Sequence, residues 1–165
     1  MDMKTPSLLE TTRAKLTDSS AQNPITVSVT SENQGGFKSA ISMRDHRIIS
    51  DQPFGFNGTN QGPKPSELVL AALAACQEVT WRLYAEAMGI ELERISVELR
   101  GTQDLRGFMG LDENVPAGFT KIEGEVHIES SASREKLEDL QRTVDRHCPV
   151  LDDLTRSVPV TLVLK

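Results

Sequence analysis

Pro65-Ser66-Glu67-Leu68-Val69-Leu70-Ala71-Ala72-Leu73-Ala74-Ala75-Cys76 is the stretch on which the fold of this 165-residue chain turns. Proline suits the first position of a helix, because its φ is preset and its missing N–H would have gone unpaired there anyway. Leu68–Cys76 is an unbroken apolar run, helix formers continue from Gln77 to Met88, and Gly89 stands where a C′ residue is expected. Such a helix of about 24 residues runs roughly 36 Å at about 1.5 Å per residue. Its first half is apolar all round, so it is expected to be buried on nearly every side, in a domain core or a subunit interface.

On either side of this helix the period changes to two. Ile25, Val27 and Val29 alternate with polar residues, and so do Phe37, Ser39, Ile41 and Met43 after the Gly35-Gly36 break. These segments predict a hairpin with one buried face, with His46–Asp51 as a third strand. Residues 52–65 carry three glycines and three prolines and read as a loop. After the helix, alternation returns at Ile95, Val97 and Leu99 and again at Ile122, Gly124, Val126 and Ile128. Ser133 opens a second helix with Glu135 in its first turn. Cys148-Pro149 breaks that helix, a short helical stretch follows over Val150–Leu154, and Val158–Leu164 reads as a closing strand. The order ββ(β)–α–ββ–α–β predicts an α+β sheet protein with helices packed on one face. Residues 1–23 are polar and aperiodic and are expected to form a loosely held arm before a domain spanning 24–165.

Composition agrees with one globular domain: 38% apolar, 25% charged, two cysteines and a net charge of −6. It excludes disordered, collagenous and disulfide-stapled classes, and no apolar run approaches the about 20 residues of a membrane span. The N-terminal residues lack the apolar core of a secretory signal. The acidic balance argues against nucleic acid as partner. A cytoplasmic protein is expected, and in a reducing compartment two cysteines point to chemistry more than to a structural bridge.

The two cysteines differ in setting. Cys76 lies mid-helix, sharing a face with Val69, Leu73 and Thr80, where a small core hydrophobe is one reading and a thiolate needing an outside cation is the other. Cys148 follows Arg146-His147 and precedes Pro149, an N-cap position at which free backbone N–H groups favour a thiolate. His147 cannot readily act on Cys148, since adjacent residues on a helix do not face each other. The cysteines stand 72 positions apart with no Cys-x-x-Cys. His46, His127 and His147 lack metal-ligand spacing, and no phosphate-binding or dinucleotide-binding glycine motif occurs, so no metal and no cofactor are expected.

The run from Gly62 to Cys76, followed by Arg146-His147-Cys148-Pro149-Val150 and the terminal Val158–Val163, resembles the OsmC/Ohr family of osmotically inducible and organic-hydroperoxide-resistance proteins. Gln52-Pro53-Phe54-Gly55-Phe56-Asn57 is similar to a loop of the OsmC branch. The resemblance implies curved antiparallel sheets around a long buried central helix, an intertwined homodimer and two sites at the subunit interface. It implies stress-related reduction of organic hydroperoxides, with Cys76 as peroxidatic thiolate, Cys148 as resolving thiol and a lipoyl-type or other dithiol as reductant. The family pattern also has a Glu directly after the helix-opening Pro and an Arg on the first hairpin. Here Ser66 follows Pro65, Glu67 comes one place later, and no Arg stands at the hairpin tip. Arg44 and Arg47, with Lys38 behind them, are the nearest cations to support the thiolate. Two other readings stay open: a protein that keeps the cysteines but binds a small apolar ligand or handles another electrophile, and one with Cys148 as primary nucleophile.

Overall fold

The computed structural model describes residues 6–17 and 24–165. The chain divides into two compact units, one formed by Ala21–Ala71 and one by Met1–Ser20 with Ala72–Lys165.

In the first unit, strands β1 (Thr30–Asn33), β2 (Ser39–Met43) and β3 (His46–Ser50) form an antiparallel sheet in that order. Gly35 and Gly36 take positive φ in the β1–β2 turn, a conformation open to a residue without Cβ. Residues 24–29, expected as strand, lie outside β1. Ile25 and Val27 are 89% and 87% exposed, so among the described residues nothing covers their apolar face. After β3 the loop carries a 3-10 turn at Phe54–Phe56. It returns to β3 through Ser50 Oγ, which donates to the Pro63 carbonyl at 2.9 Å.

The long helix α2 (Pro65–Ala87) begins at the expected proline. Glu67 reaches back to accept from the Lys64 N–H at 3.0 Å, half of a capping box. At the other end Gly89 N–H bonds the Glu86 carbonyl, and Ile90 N–H bonds that of Ala85. With Gly89 at φ +67 this is a Schellman ending. Burial is concentrated in the later part of the helix, at Leu73, Gln77, Thr80, Trp81, Tyr84 and Ala85. Val69, Ala71, Ala72 and Ala75 are exposed, so the apolar first half is not enclosed on every side by this single chain.

In the second unit β4 (Arg94–Gln103) and β5 (Phe119–Glu129) form an antiparallel pair, joined by a connection that contains the short α3 (Leu105–Phe108). Helix α4 (Arg134–His147) starts at Ser133, whose hydroxyl accepts from the Lys136 N–H, and α5 (Pro149–Thr155) follows at once. The core joins Trp81, Tyr84 and Ala85 of α2 with Leu140 and Val144 of α4, and Ile95, Val126 and Ile128 of the sheet pack against it.

Two further expectations differ from the structure. The segment read as a loose arm contains helix α1 (Leu8–Thr17), started by a reciprocal capping box between Ser7 and Glu10. Leu9 of α1 packs against the core. The rest of that segment, 1–5 and 18–23, lies outside the described residues. The closing strand expected over Val158–Leu164 is not formed: among the described residues this segment pairs with no strand, and Leu162 and Leu164 are 92% and 99% exposed. A strand needs a neighbour for its ladder, and among the described residues this segment has none.

Candidate functional site

The structure brings Cys76 and Cys148 together. Cys148 Sγ lies 3.4 Å from Cys76 Sγ, and both thiols are free. Their approach follows from two helical stripes. On α4, Leu140 and Val144 stand four residues apart on the core face, and Cys148 continues the row by another four; all three are fully buried. The Cys148 N–H still bonds the Val144 carbonyl at 2.9 Å, so the cysteine is locked as the last residue of that stripe. On α2, Leu73, Cys76 and Thr80 share a face. Cys76 is only partly buried, whereas Cys148 has no exposed surface.

Cys148 is also the N-cap of α5, where the sequence suggests a favoured thiolate. Its sulfur makes no capping hydrogen bond of normal geometry. Burial pushes the thiol above the usual cysteine range, the Leu151 amide pulls it down, and the hydrogen bond and charge of Cys76 raise it further. The net direction is upward, because desolvation of the anion outweighs one helix end. Cys148 is thus the enclosed sulfur of the pair, its thiol pushed upward by burial. His147 does not assist it. The imidazole Nδ1 sits 2.7 Å from the Thr143 carbonyl, and its ring stacks on Tyr84 at 5.0 Å between centroids.

The expected supporting residues have settings of their own. Arg44, at φ +51 in the β2–β3 turn, and Arg47 on β3 are both exposed. Among the described residues neither makes an ion pair within 4.0 Å, and Lys38 donates to Gln61 Oε1 at 3.2 Å. Ser66 is half-buried in the first turn of α2, and Glu67 caps that turn. Arg44, Arg47, Ser66 and Glu67 belong to the unit Ala21–Ala71, the two cysteines to the other.

Comparison with known proteins places this fold in a family. The family model described as OsmC-like protein matches residues 58–163. The chain belongs to the OsmC family. Solved structures share the fold: an OsmC-like protein from Mycoplasma pneumoniae is 21% identical, with a TM-score of 0.69 over 79% of this chain and 87% of that one. An organic hydroperoxide resistance protein OsmC from Legionella pneumophila is 20% identical, with a TM-score of 0.63 over 81% and 92%. An organic hydroperoxide resistance protein from Elizabethkingia anophelis is 21% identical, with a TM-score of 0.61 over 82% and 91%. No match is found among curated proteins.

Two residues of this OsmC-family chain escape a reading by motif. Thr80, one turn beyond Cys76, is buried and donates its hydroxyl to the Cys76 carbonyl at 2.7 Å. Its place on the Cys76 face is legible from helical spacing, but its partner is not. Asp51, at the end of β3, is 1% exposed and accepts from the Thr59 hydroxyl at 2.6 Å and from the N–H groups of Gln52, Thr59 and Gln61. The Thr59 hydroxyl is the main cause that holds this carboxyl down at about 2, against the opposing effect of burial. Asp51 organises the loop that leads into α2. The signal available in the sequence was an aspartate just ahead of a glycine-rich loop, which is common in turns. Among the described residues, no cluster of three potential metal ligands occurs, and no helix is long and apolar enough to cross a membrane.

Proposed function

We propose that this OsmC-family chain is a thiol peroxidase that reduces organic hydroperoxides through Cys76 and Cys148 in protection against oxidative stress. One observation carries the reading: two free sulfurs at 3.4 Å, one partly accessible and one fully buried. Attack by peroxide falls on the accessible sulfur. The Cys76 thiolate takes the terminal peroxide oxygen, the O–O bond breaks, and the alkoxide leaves as alcohol with a proton. Cys76 is then a sulfenic acid. Cys148 condenses with it, forming the disulfide and releasing water. An external dithiol, lipoyl-type or other, exchanges with the disulfide, is itself oxidised and returns both thiols. Arg44 or Arg47 supplies the cation that supports the Cys76 thiolate, with Ser66 and Glu67 holding the helix start.

The reading includes a homodimer and a cytoplasmic location. The period-two segments 24–29 and 158–164, left uncovered in one chain, support a second copy as their partner. Kinship to proteins described as organic hydroperoxide resistance proteins supports the substrate class.

The test is stoichiometric. Cumene hydroperoxide should consume two thiols per chain and yield a Cys76–Cys148 disulfide within one subunit. Cys76→Ser should stop peroxide consumption, and Cys148→Ser should leave a sulfenate trappable by dimedone. Peroxide turnover unchanged in Cys76→Ser would sink the reading. Arg44→Ala and Arg47→Ala, made separately, identify the cation by which one slows Cys76 oxidation at neutral pH.

One observation favours a second reading, binding of a small apolar ligand without turnover. A groove of about 610 Å³ is lined by Leu73, Val97, Leu99, Phe119 and Leu151, with Gln77 and Asp145 beside them. That volume is in the range of small-molecule sites. A lipid that co-purifies, together with thiols unchanged under peroxide, would select it.

A further inference from the structure

The closure step leaves a problem. It needs Cys148 as a thiolate, yet Cys148 is fully buried and its thiol is held up by burial. A buried anion persists only where a donor meets it. Arg146 and His147 are exposed, and His147 is engaged by the Thr143 carbonyl and the Tyr84 ring. Besides the Leu151 amide at the start of α5, the donor in the pair's own surroundings is the Thr80 hydroxyl. Thr80 is 5% exposed, stands one helical turn from Cys76 on the same face, and spends its proton on the Cys76 carbonyl at 2.7 Å.

We propose that Thr80 is a positioning residue for the resolving sulfur: its hydroxyl rotates from the Cys76 carbonyl to donate to Cys148 when that sulfur becomes an anion. The inference rests on the peroxidase reading for its role, and on the cluster itself for its chemistry. A threonine hydroxyl on a helix has two acceptors in reach, the carbonyl four residues back and whatever its face packs against. The hydroxyl carries one proton, so it serves these acceptors in turn. The carbonyl it leaves has a second partner in the helical N–H ladder, so leaving is cheap. The hydroxyl's influence on Cys148 is already in the lowering direction.

The step balances. Cys148 releases its proton to solvent, and its thiolate, held by the Thr80 O–H, attacks the sulfur of the Cys76 sulfenic acid. The S–S bond forms, the S–O bond breaks, and hydroxide leaves and is protonated to water. Cys148 is oxidised, and the oxidising equivalents come from the hydroperoxide that made the sulfenate. The Thr80 hydroxyl then returns to the Cys76 carbonyl.

The experiment has two arms. In the first, Cys148 ionisation is followed by thiolate absorbance against pH in a Cys76→Ser background, with Thr80, Thr80→Val, Thr80→Ala or Thr80→Ser. No peroxide is needed, so this arm stands even if the peroxidase reading fails. The midpoint should rise by about one pH unit in Thr80→Val and Thr80→Ala, about tenfold less thiolate at a given pH, and return in Thr80→Ser. In the second arm, chains with both cysteines receive one equivalent of cumene hydroperoxide, and disulfide closure is timed across pH. The closure profile should shift upward by the same amount in Thr80→Val and be restored in Thr80→Ser. Midpoints that agree within about 0.2 unit in all four backgrounds would overturn the proposal. So would equal shifts in Thr80→Val and Thr80→Ser, which mark packing rather than the hydroxyl.

Discussion

At the scale of single residues, polar side chains inside this protein take their roles from their partners. Asp51 illustrates the rule: its four accepted hydrogen bonds make the charged form the preferred one. With the folded carboxyl at about 2 against an ordinary 3.8, the native state binds fewer protons than the unfolded chain in that interval. The contribution is therefore complete above about pH 4 and is lost as pH falls from 3.8 toward 2. Melting curves between pH 5 and pH 2 should show Asp51→Asn less stable than the parent at the upper end, with the gap closing toward the lower. An asparagine can accept at only one oxygen, so either the Gln52 N–H at one oxygen position or the Thr59 and Gln61 donors at the other go unpaired. A gap that stays constant through the interval would contradict the assignment. The same rule separates the cysteines: their types are equal in the sequence, and burial leaves one partly accessible and encloses the other.

Elements show where local signals suffice. Pro65, Gly89, Ser133 and Pro149 mark helix ends in the sequence, and the structure forms ends at each. These are signals of backbone chemistry, needing no distant partner. Helix α1 was equally legible in Ser7–Glu10, a reciprocal cap that the polar run around it concealed. Gly62 depends on something else, close approach: a Cβ there would stand 2.1 Å from the Ile49 carbonyl oxygen. Gly62→Ala should therefore push the loop off β3 and lower the melting temperature, whereas Gly55→Ala, with open space around it, should change little. Equal melting of the two variants would contradict this. On α4, Leu140 is fully buried in the row that ends at Cys148. Leu140→Ala should cost about 3 kcal/mol in chemical unfolding, within the range of about 2–5 kcal/mol for such cavities. It should also slow disulfide closure, because the row sets the position of the buried sulfur.

For the molecule as a whole, two apolar segments with strand-like alternation stand exposed. Segments 24–29 and 158–164 carry the alternation of half-buried strands, yet Ile25, Val27, Leu162 and Leu164 face solvent. Free strand edges of this kind invite pairing. In light scattering at micromolar concentration the chain should run as a dimer, and Leu162→Asp with Leu164→Asp should shift it toward monomer. A parent that scatters as a monomer would remove the second copy from the proposed function. The same pairing would account for the exposed first half of α2, whose apolar surface one chain leaves uncovered at Val69, Ala71 and Ala72.

By itself the sequence determined the long helix, its ends, the strands β2, β3, β4 and β5, and the two cysteines as residues to watch. Periodicity and capping are local, so they survive without a partner in view. Only the tertiary structure decided that the sulfurs stand 3.4 Å apart, that Cys148 ends a buried stripe, and that Thr80 and Asp51 have the partners they have. Those facts depend on residues far apart in the chain, and the energy of a buried polar group is set by what surrounds it in space. The terminal segment marks the boundary between the two. Its alternation predicts a strand, but a strand exists only when another chain segment accepts its hydrogen bonds.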